Sequence, residues 1–218
     1  EMLCARDWDF CQIQLNYMDT NEQAGMKGYK LAEERNIPLV IMEPIKGGML
    51  ANFGPDIKKK FAELDPKASV ASFALRWVGS LPNVKVVLSG MSTMEQVEDN
   101  LKTFVDFKPL SEAESKGIDD IVNIVNSRVQ NGCTGCSYCM PCPAGVNIPK
   151  NFRIWNTYHM YQNYNAVRWN WETEMPDSER ANKCIECGMC ESICPQALQI
   201  REDLKRVMED LEAKAMIL

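Results

Sequence analysis

Residues 131–145 read NGCTGCSYCMPCPAG, placing Cys133, Cys136, Cys139 and Cys142 at every third position with a proline on each side of the last. A second group follows in CIECGMCESICPQA, residues 184–197, with Cys184, Cys187, Cys190 and Cys194 in the pattern C-x2-C-x2-C-x3-C-P. Eight of the ten cysteines therefore lie after residue 130, in two dense groups. Thiols this close on a tight loop face a common centre, whereas disulfide frameworks join partners brought from separated segments. The pattern reads as a ligand set.

Zinc is one occupant of C-x2-C pairs, but zinc takes four ligands in two pairs and leaves no task for a third evenly spaced Cys. The C-x2-C-x2-C-x3-C-P run resembles that of bacterial ferredoxins, where three thiolates hold one [4Fe–4S] cubane and the fourth reaches its neighbour. That resemblance implies two [4Fe–4S] clusters. By the same rule Cys133, Cys136, Cys139 and Cys194 hold one, and Cys184, Cys187, Cys190 and Cys142 the other. The first group is one residue shorter between its third and fourth Cys, a departure from the ferredoxin spacing.

The 41 residues between Cys142 and Cys184 are rich in aromatics and poor in β-type alternation. They resemble the α-helical ferredoxin modules attached to larger oxidoreductases. Trp155, Tyr158, Tyr161, Tyr164, Trp169 and Trp171 are expected in the core of such a module, not as electron relays. His159, the single histidine, is expected to be packed or at the surface, since eight thiolates complete both clusters. After Cys194, Leu204, Val207, Met208, Leu211 and Ala215 form one stripe of a terminal helix.

Composition narrows the classes further. The chain has 218 residues, 45% of them hydrophobic, enough for one sizeable core or two small ones. A net charge of −6 without a basic cluster speaks against nucleic acid and anionic membrane surfaces as partners. The apolar runs are far shorter than a membrane span, and EMLCARDWDF lacks the layout of a signal peptide, so a cytoplasmic protein is expected. Cys4 and Cys11, outside both groups, are expected as small buried hydrophobes.

Residues 1–130 follow a different rhythm. QIQLNY alternates, with Ile13, Leu15 and Tyr17 on one side and Gln12, Gln14 and Asn16 on the other. IPLVIME and VKVVLSG are continuous apolar runs, as parallel strands covered on both faces require. Helices are expected over residues 21–36, from an Asp65-Pro66 start through Ala71, Ala74, Leu75 and Val78, from a Ser92–Glu95 capping box, and from a Ser111–Glu114 capping box through Ile118, Ile121, Val122 and Val125. Alternating strands and helices indicate a parallel α/β sheet. The domains divide as 1–130 and 131–218.

In order and spacing, FCQIQLNYMD, GYKLAEERNIPLVIMEPIKGGML, ASVASFALRWVGSLPNVKVVLSGMSTMEQVEDNL and PLSEAE resemble the last three β/α units of an aldo-keto reductase (β/α)8 TIM barrel. CTGCSYCMPCP and CIECGMCESICP resemble the tail of that family's iron–sulfur branch. The resemblance implies an α/β barrel part followed by an all-α ferredoxin-like domain. It also implies that the catalytic Asp, Tyr, Lys and His belong to the first half of the barrel, so no catalytic residue is assigned here. Three strands would leave long parallel edges, and the expectation is a protein extended upstream by roughly 120 to 180 residues.

What this half is expected to contribute is cofactor binding. Loops after the last two barrel strands commonly cradle phosphates, and Gly47 and Gly48 let the backbone approach a pyrophosphate. By resemblance, Gln14 holds a nicotinamide carboxamide, and Ser92, Thr93, Gln96 and Asn100 grip the adenosine end. Met42 stands where an aromatic ring usually stacks, and Gly90 and Gln96 stand where basic residues usually bind a 2′-phosphate. Lys46 is the local alternative cation. NAD, NADP and flavin all remain candidate cofactors, because cluster chains move single electrons and nicotinamide moves two. The expected function is an oxidoreductase relaying electrons between a redox partner protein or small-molecule carrier and a barrel site acting on a carbonyl-type substrate. The alternative is an electron-transfer or redox-sensing subunit whose barrel is a docking scaffold.

Overall fold

The computed structural model describes the backbone of residues 2–215 and the side chains of residues 2–212. The chain divides into two compact units, Glu1–Asn123 and Ile124–Leu218.

The first unit opens with a short helix α1 (Met2–Ala5) and then lays down β1 (Cys11–Gln14), α2 (Gly25–Glu34) and β2 (Leu39–Met42). After a 3-10 segment at Lys46–Ala51 come α3 (Pro55–Leu64), α4 (Val70–Gly79), β3 (Val84–Val87), α5 (Met94–Val105) and α6 (Glu112–Asn126), which crosses the unit boundary. The strands form one parallel sheet in the order β1-β2-β3, with Cys11 opposite Leu39 and Gln14 opposite Met42. An irregularity at Leu39/Val40 shifts the register so that Val40 faces Val86. Ile13, Leu15, Leu39 and Ile41 are buried against Tyr29 and Ala32 of α2 and Val78 of α4.

Burial on both faces does not hold. Met42 and Val86, on the side opposite the helices, are 38% and 47% exposed, so β2 and β3 are half-covered strands in this unit. Asn16 also departs from the alternation. It is fully buried because its amide oxygen accepts from the N–H groups of Met18 and Asp19, and its nitrogen donates to Asp19 and to the Glu43 carbonyl. A side chain that caps a turn is drawn inward whatever the pleat prescribes.

Three helix starts differ from expectation. α2 begins at Gly25, four residues late, because Gln23 and Gly25 both take positive φ and a Cβ on Gly25 would stand 2.3 Å from the Thr20 carbonyl oxygen. Asp65 ends α3, a helix absent from the sequence reading, and α4 starts instead at Ser69, whose hydroxyl accepts from the Ser72 N–H at 3.0 Å. α5 is capped by Thr93 and Gln96, not Ser92 and Glu95. α6 starts as expected, with Ser111 and Glu114 exchanging hydrogen bonds. Cys4 is exposed and Cys11 only half-buried.

Arg76 of α4 joins this last cap. Its guanidinium donates to both Glu114 carboxylate oxygens at 2.6 and 2.9 Å, with both side chains nearly buried. Burial alone would raise the Glu114 pKa, but the hydrogen bonds from Arg76 and Ser111 outweigh it and hold the group at about 2. A depressed carboxylate contributes stability in full above its unfolded value near 4.5 and loses it as pH falls toward about 2. The urea midpoint of the first unit is therefore expected to fall over that window, and Glu114→Gln to flatten the fall. An identical acid profile in the variant would contradict the assignment.

The second unit contains α7 (Ile148–Tyr161), α8 (Asn165–Glu172), the single-turn α9 (Met189–Ser192) and α10 (Ile200–Ala215), and its described residues contain no strand. Phe152, Trp155, Val167, Trp171, Leu204, Val207 and Leu211 are buried together, and thiols of both cysteine groups pack on this core. The α10 stripe thus faces inward through Leu211, while the side chain of Ala215 lies outside the described residues. Trp155, Tyr161, Tyr164 and Trp171 are buried, Tyr158 is half-buried, and Trp169 departs from the expected packing at 64% exposed. Its indole instead reaches Glu174 at 3.3 Å. No described helix is long and apolar enough to cross a membrane.

Candidate functional site

The two cysteine loops are one structure repeated. In the first, Gly135 and Ser137 flank Cys136 with φ of 72° and 63°; in the second, Glu186 and Gly188 flank Cys187 with φ of 54° and 77°. Each loop continues past its last Cys-Pro to a left-handed residue, Gly145 or Ala197, whose N–H donates to the carbonyl of Cys142 or Cys194 at 2.9 and 3.0 Å. Each then enters a helix at a buried isoleucine, Ile148 of α7 or Ile200 of α10. The one-residue difference lies between third and fourth cysteines, where the shorter first loop contains the cis bond Met140–Pro141. Alternation of left-handed and ordinary backbone of this kind is the type that forms concave anion-binding turns, which suit anionic sulfur.

Cys133, Cys136, Cys139 and Cys194 line one small cavity of about 20 Å³, walled by Ile148, Pro149, Phe152, Leu198 and Ile200. Cys142 does not line it. Burial raises the Cys139 thiol first, and the neighbouring Cys133, Cys136 and Cys194 raise it further. Cys190 is raised by burial and then by Glu191, with Cys184 adding to it. Among the described residues no three His, Cys, Asp or Glu side chains stand close enough to share one ion. Four thiols spread around a wider space suit a cubane, which takes each thiolate on a separate iron.

In the first unit, a cavity of about 690 Å³ opens beyond the carboxyl ends of β2 and β3. Gly47, Gly48, Ser92, Gln96 and Asn100 line it, together with Met42 and Gly90; Gln14 and Thr93 do not. Gly47 and Gly48 have φ of 60° and 88°, and no atom approaches within 3.8 Å of the Cβ positions, so conformation and not space demands glycine there. Gln96 is committed to the cap of α5, accepting from the N–H groups of Ser92 and Thr93 at 2.7 and 3.3 Å. Asn100 donates to Ser89 at 2.9 Å. Gln14 donates to Asp19 and accepts from Gln23. Lys46 donates to both oxygens of the buried Asp19 at 2.5 and 2.6 Å, which occupies the local cation.

Residues 1–123 match the model of the aldo/keto reductase family, more than half of the chain. The chain belongs to the aldo/keto reductase family. Residues 132–199 match the 4Fe-4S dicluster domain, so this aldo/keto reductase carries an iron–sulfur region with eight cysteines for two [4Fe–4S] clusters. Two solved structures are similar to it, the apo and holo forms of aldo-keto reductase AKR11C1 from Bacillus halodurans. Identity is 20% in each; the matches cover 53% and 50% of this chain and 44% and 41% of those chains, with TM-scores of 0.43 and 0.37. The chain spans less than half the length of these relatives. No curated protein matches it.

Two groups on the cavity beyond β2 and β3 escaped the sequence reading: Glu43 and Asp99. Glu43 follows β2 with φ of 55°, and Asp99 accepts from Ser69 at 2.5 Å. Neither carries a motif, because each enters the cavity only through the folding of a loop or helix against β2 and β3. Among the described residues the lining contains no Lys or Arg.

Proposed function

We propose that the protein of which this chain is part is an iron–sulfur oxidoreductase that passes single electrons between an external carrier and a nicotinamide or substrate bound at the barrel. The carrier is a redox partner protein or a small molecule, and the substrate is of carbonyl type. The observation that carries this reading is the convergence of thiols from two separate stretches on one cavity. Cys133, Cys136, Cys139 and Cys194 would hold one cluster, and Cys184, Cys187, Cys190 and Cys142 the other. The clusters, when bound, supply one-electron transfer. The chain's part is to present thiolates from loops whose backbone geometry is set by left-handed residues, and to exclude water from one centre with Ile148, Phe152 and Ile200.

In the first unit Gly47 and Gly48 would admit a pyrophosphate, and Asn100 and Ser89 would bind polar atoms of an adenosine. Gln14, held by Asp19 and Gln23, is the candidate for the carboxamide. With Glu43 and Asp99 on the lining and no cation, the cavity favours NAD over NADP: a carboxylate accepts from ribose hydroxyls and repels a phosphate. A Cβ on Gly90 would meet nothing within 4 Å. Gly90→Arg is therefore expected to tighten NADPH binding about tenfold to a hundredfold, as a hydrogen-bonded charge pair allows, with little change for NADH. Equal effects on both nucleotides, measured by fluorescence titration, would contradict the placement.

The scaffold reading is favoured by Met42, Gly90 and Gln96, which stand on the cavity where the family usually places a stacking ring and basic residues. Nicotinamide-dependent carbonyl reduction by the complete protein, with cluster absorbance bleaching in step, supports the enzyme; cluster reduction by a carrier without nucleotide binding supports the scaffold.

A further inference from the structure

The internal repeat isolates one difference between the two centres. Matching Ile148 to Ile200 sets Pro149 against Arg201, each the second residue of the helix that follows its loop. Pro149 lines the cavity of Cys133, Cys136, Cys139 and Cys194, and no ionisable side chain other than the thiols does. Asp203 is linked to that loop through an intermediary: it accepts from Asn131 at 2.6 Å, and Asn131 accepts from the Cys133 N–H at 2.9 Å.

Around the second loop the surroundings are ionic. The Arg201 guanidinium donates to Glu191 at 3.0 and 2.8 Å and to the Glu186 carbonyl at 3.4 Å. It lies 3.7 Å from where a Cβ on Gly188 would stand. The Arg201 N–H donates to the other Glu191 oxygen at 2.8 Å, and Lys205 pairs with Glu186 at 2.9 Å. The electrostatic partners of Arg201 are Glu191 first and then Cys190. Its cation thus lies flat against the loop that presents Cys187 and Cys190.

We infer that the two centres are inequivalent, and that the Arg201 cation, opposed in part by Glu191, sets the centre of Cys184, Cys187 and Cys190 at the higher reduction potential. Reduction adds a negative charge. A cation against the loop stabilises the reduced form, a carboxylate destabilises it, and an apolar cavity disfavours the added charge. Arg201 is a positioning residue here, acting through the loop. The inference rests on the ligand assignment proposed above.

Dye-mediated potentiometric titration of the anaerobic full chain, followed by electron paramagnetic resonance, tests it. The native chain is expected to show two one-electron waves. Arg201→Gln is expected to lower the upper wave by about tenfold in the reduction equilibrium, ~59 mV for one electron, and to leave the lower wave in place. Glu191→Gln is expected to raise the same wave, and Arg201→Lys to restore most of the loss. Movement of both waves together, or of neither, or coincident waves in the native chain, overturns the inference while leaving the two clusters standing. Iron content below that of two clusters would instead overturn the ligand assignment and the inference with it. If Arg201→Gln loses iron, Glu191→Gln decides alone, since it keeps the cation.

Discussion

Cys194→Ser is expected to remove the same centre as Cys136→Ser, although 57 residues separate them and Cys187 and Cys190 are the near neighbours of Cys194 in sequence. The cavity that Cys194 lines is that of Cys133, Cys136 and Cys139. Each single variant should retain about half the iron of the native chain, about four atoms instead of about eight. Serine is a poor substitute, because a hydroxyl stays protonated where a thiol ionises. The identity of the missing centre is read from which one-electron wave disappears. Cys194→Ser and Cys136→Ser should both lose the lower wave, and Cys142→Ser and Cys187→Ser the upper one. Loss of the same wave in Cys194→Ser and Cys187→Ser would mean that each sequence group closes on itself, and the crossed assignment would fail.

The second large effect is expected at Trp155. Its ring is fully buried between α7 and α10, and the indole N–H donates to Asp210 at 2.6 Å. His159 meets the same carboxylate oxygen at 2.7 Å, and the Arg206 guanidinium lies 5.0 Å over the indole ring. Burial raises the Asp210 pKa, but the bonds from Trp155 and His159 more than reverse it, so the carboxylate is held ionised. Trp155→Ala removes a large core side chain and one of the donors that compensates this charge. A cost of about 3–5 kcal/mol is expected from the cavity alone. Trp155→Phe keeps most of the volume and loses only the N–H, so its cost should be smaller, about 1–3 kcal/mol. The readout is the urea concentration at which visible cluster absorbance and helical circular dichroism are lost together. A Trp155→Ala midpoint close to that of the native chain would contradict the picture of α7 and α10 held together by this residue.

What could be seen in the chain beforehand followed from chemistry that repeats at short range. Cysteines three apart carry their ligand role in their spacing, and the apolar runs at 37–43 and 84–90 mark the positions of β2 and β3, though not the exposure of their second face. Gly47 and Gly48, singled out for their backbone freedom, do occupy left-handed positions. Ser137, Glu186 and Ala197 take the same backbone conformation without any residue type to signal it, so the likeness of the two loops emerges only in three dimensions. α3 was hidden because three successive lysines, Lys58, Lys59 and Lys60, mask the Ile57 and Phe61 pair that faces the core. At α5, Ser92 and Thr93 are both competent caps, and the choice falls to Thr93 because Gln96 can reach back to it.

The cavity beyond β2 and β3 was less legible than the thiols for a related reason. Gly47 and Gly48 follow β2 and Asn100 lies on α5, the helix after β3, so all three were accessible to reasoning from order along the chain. Glu43 and Asp99 were not, since a carboxylate on a strand end or a helix face is ordinarily solvated and nothing in its neighbours says which cavity it will edge. The fate of Lys46 was equally invisible: its partner Asp19 lies 27 residues away and is drawn inward by Asn16 and Gln14.

The most direct test of the account is the metal and sulfide content of the chain purified without oxygen. Two cubanes held by eight thiolates predict about eight irons and eight acid-labile sulfides per chain, with a broad visible absorbance that dithionite bleaches. Stoichiometric zinc, or iron without sulfide, would contradict it.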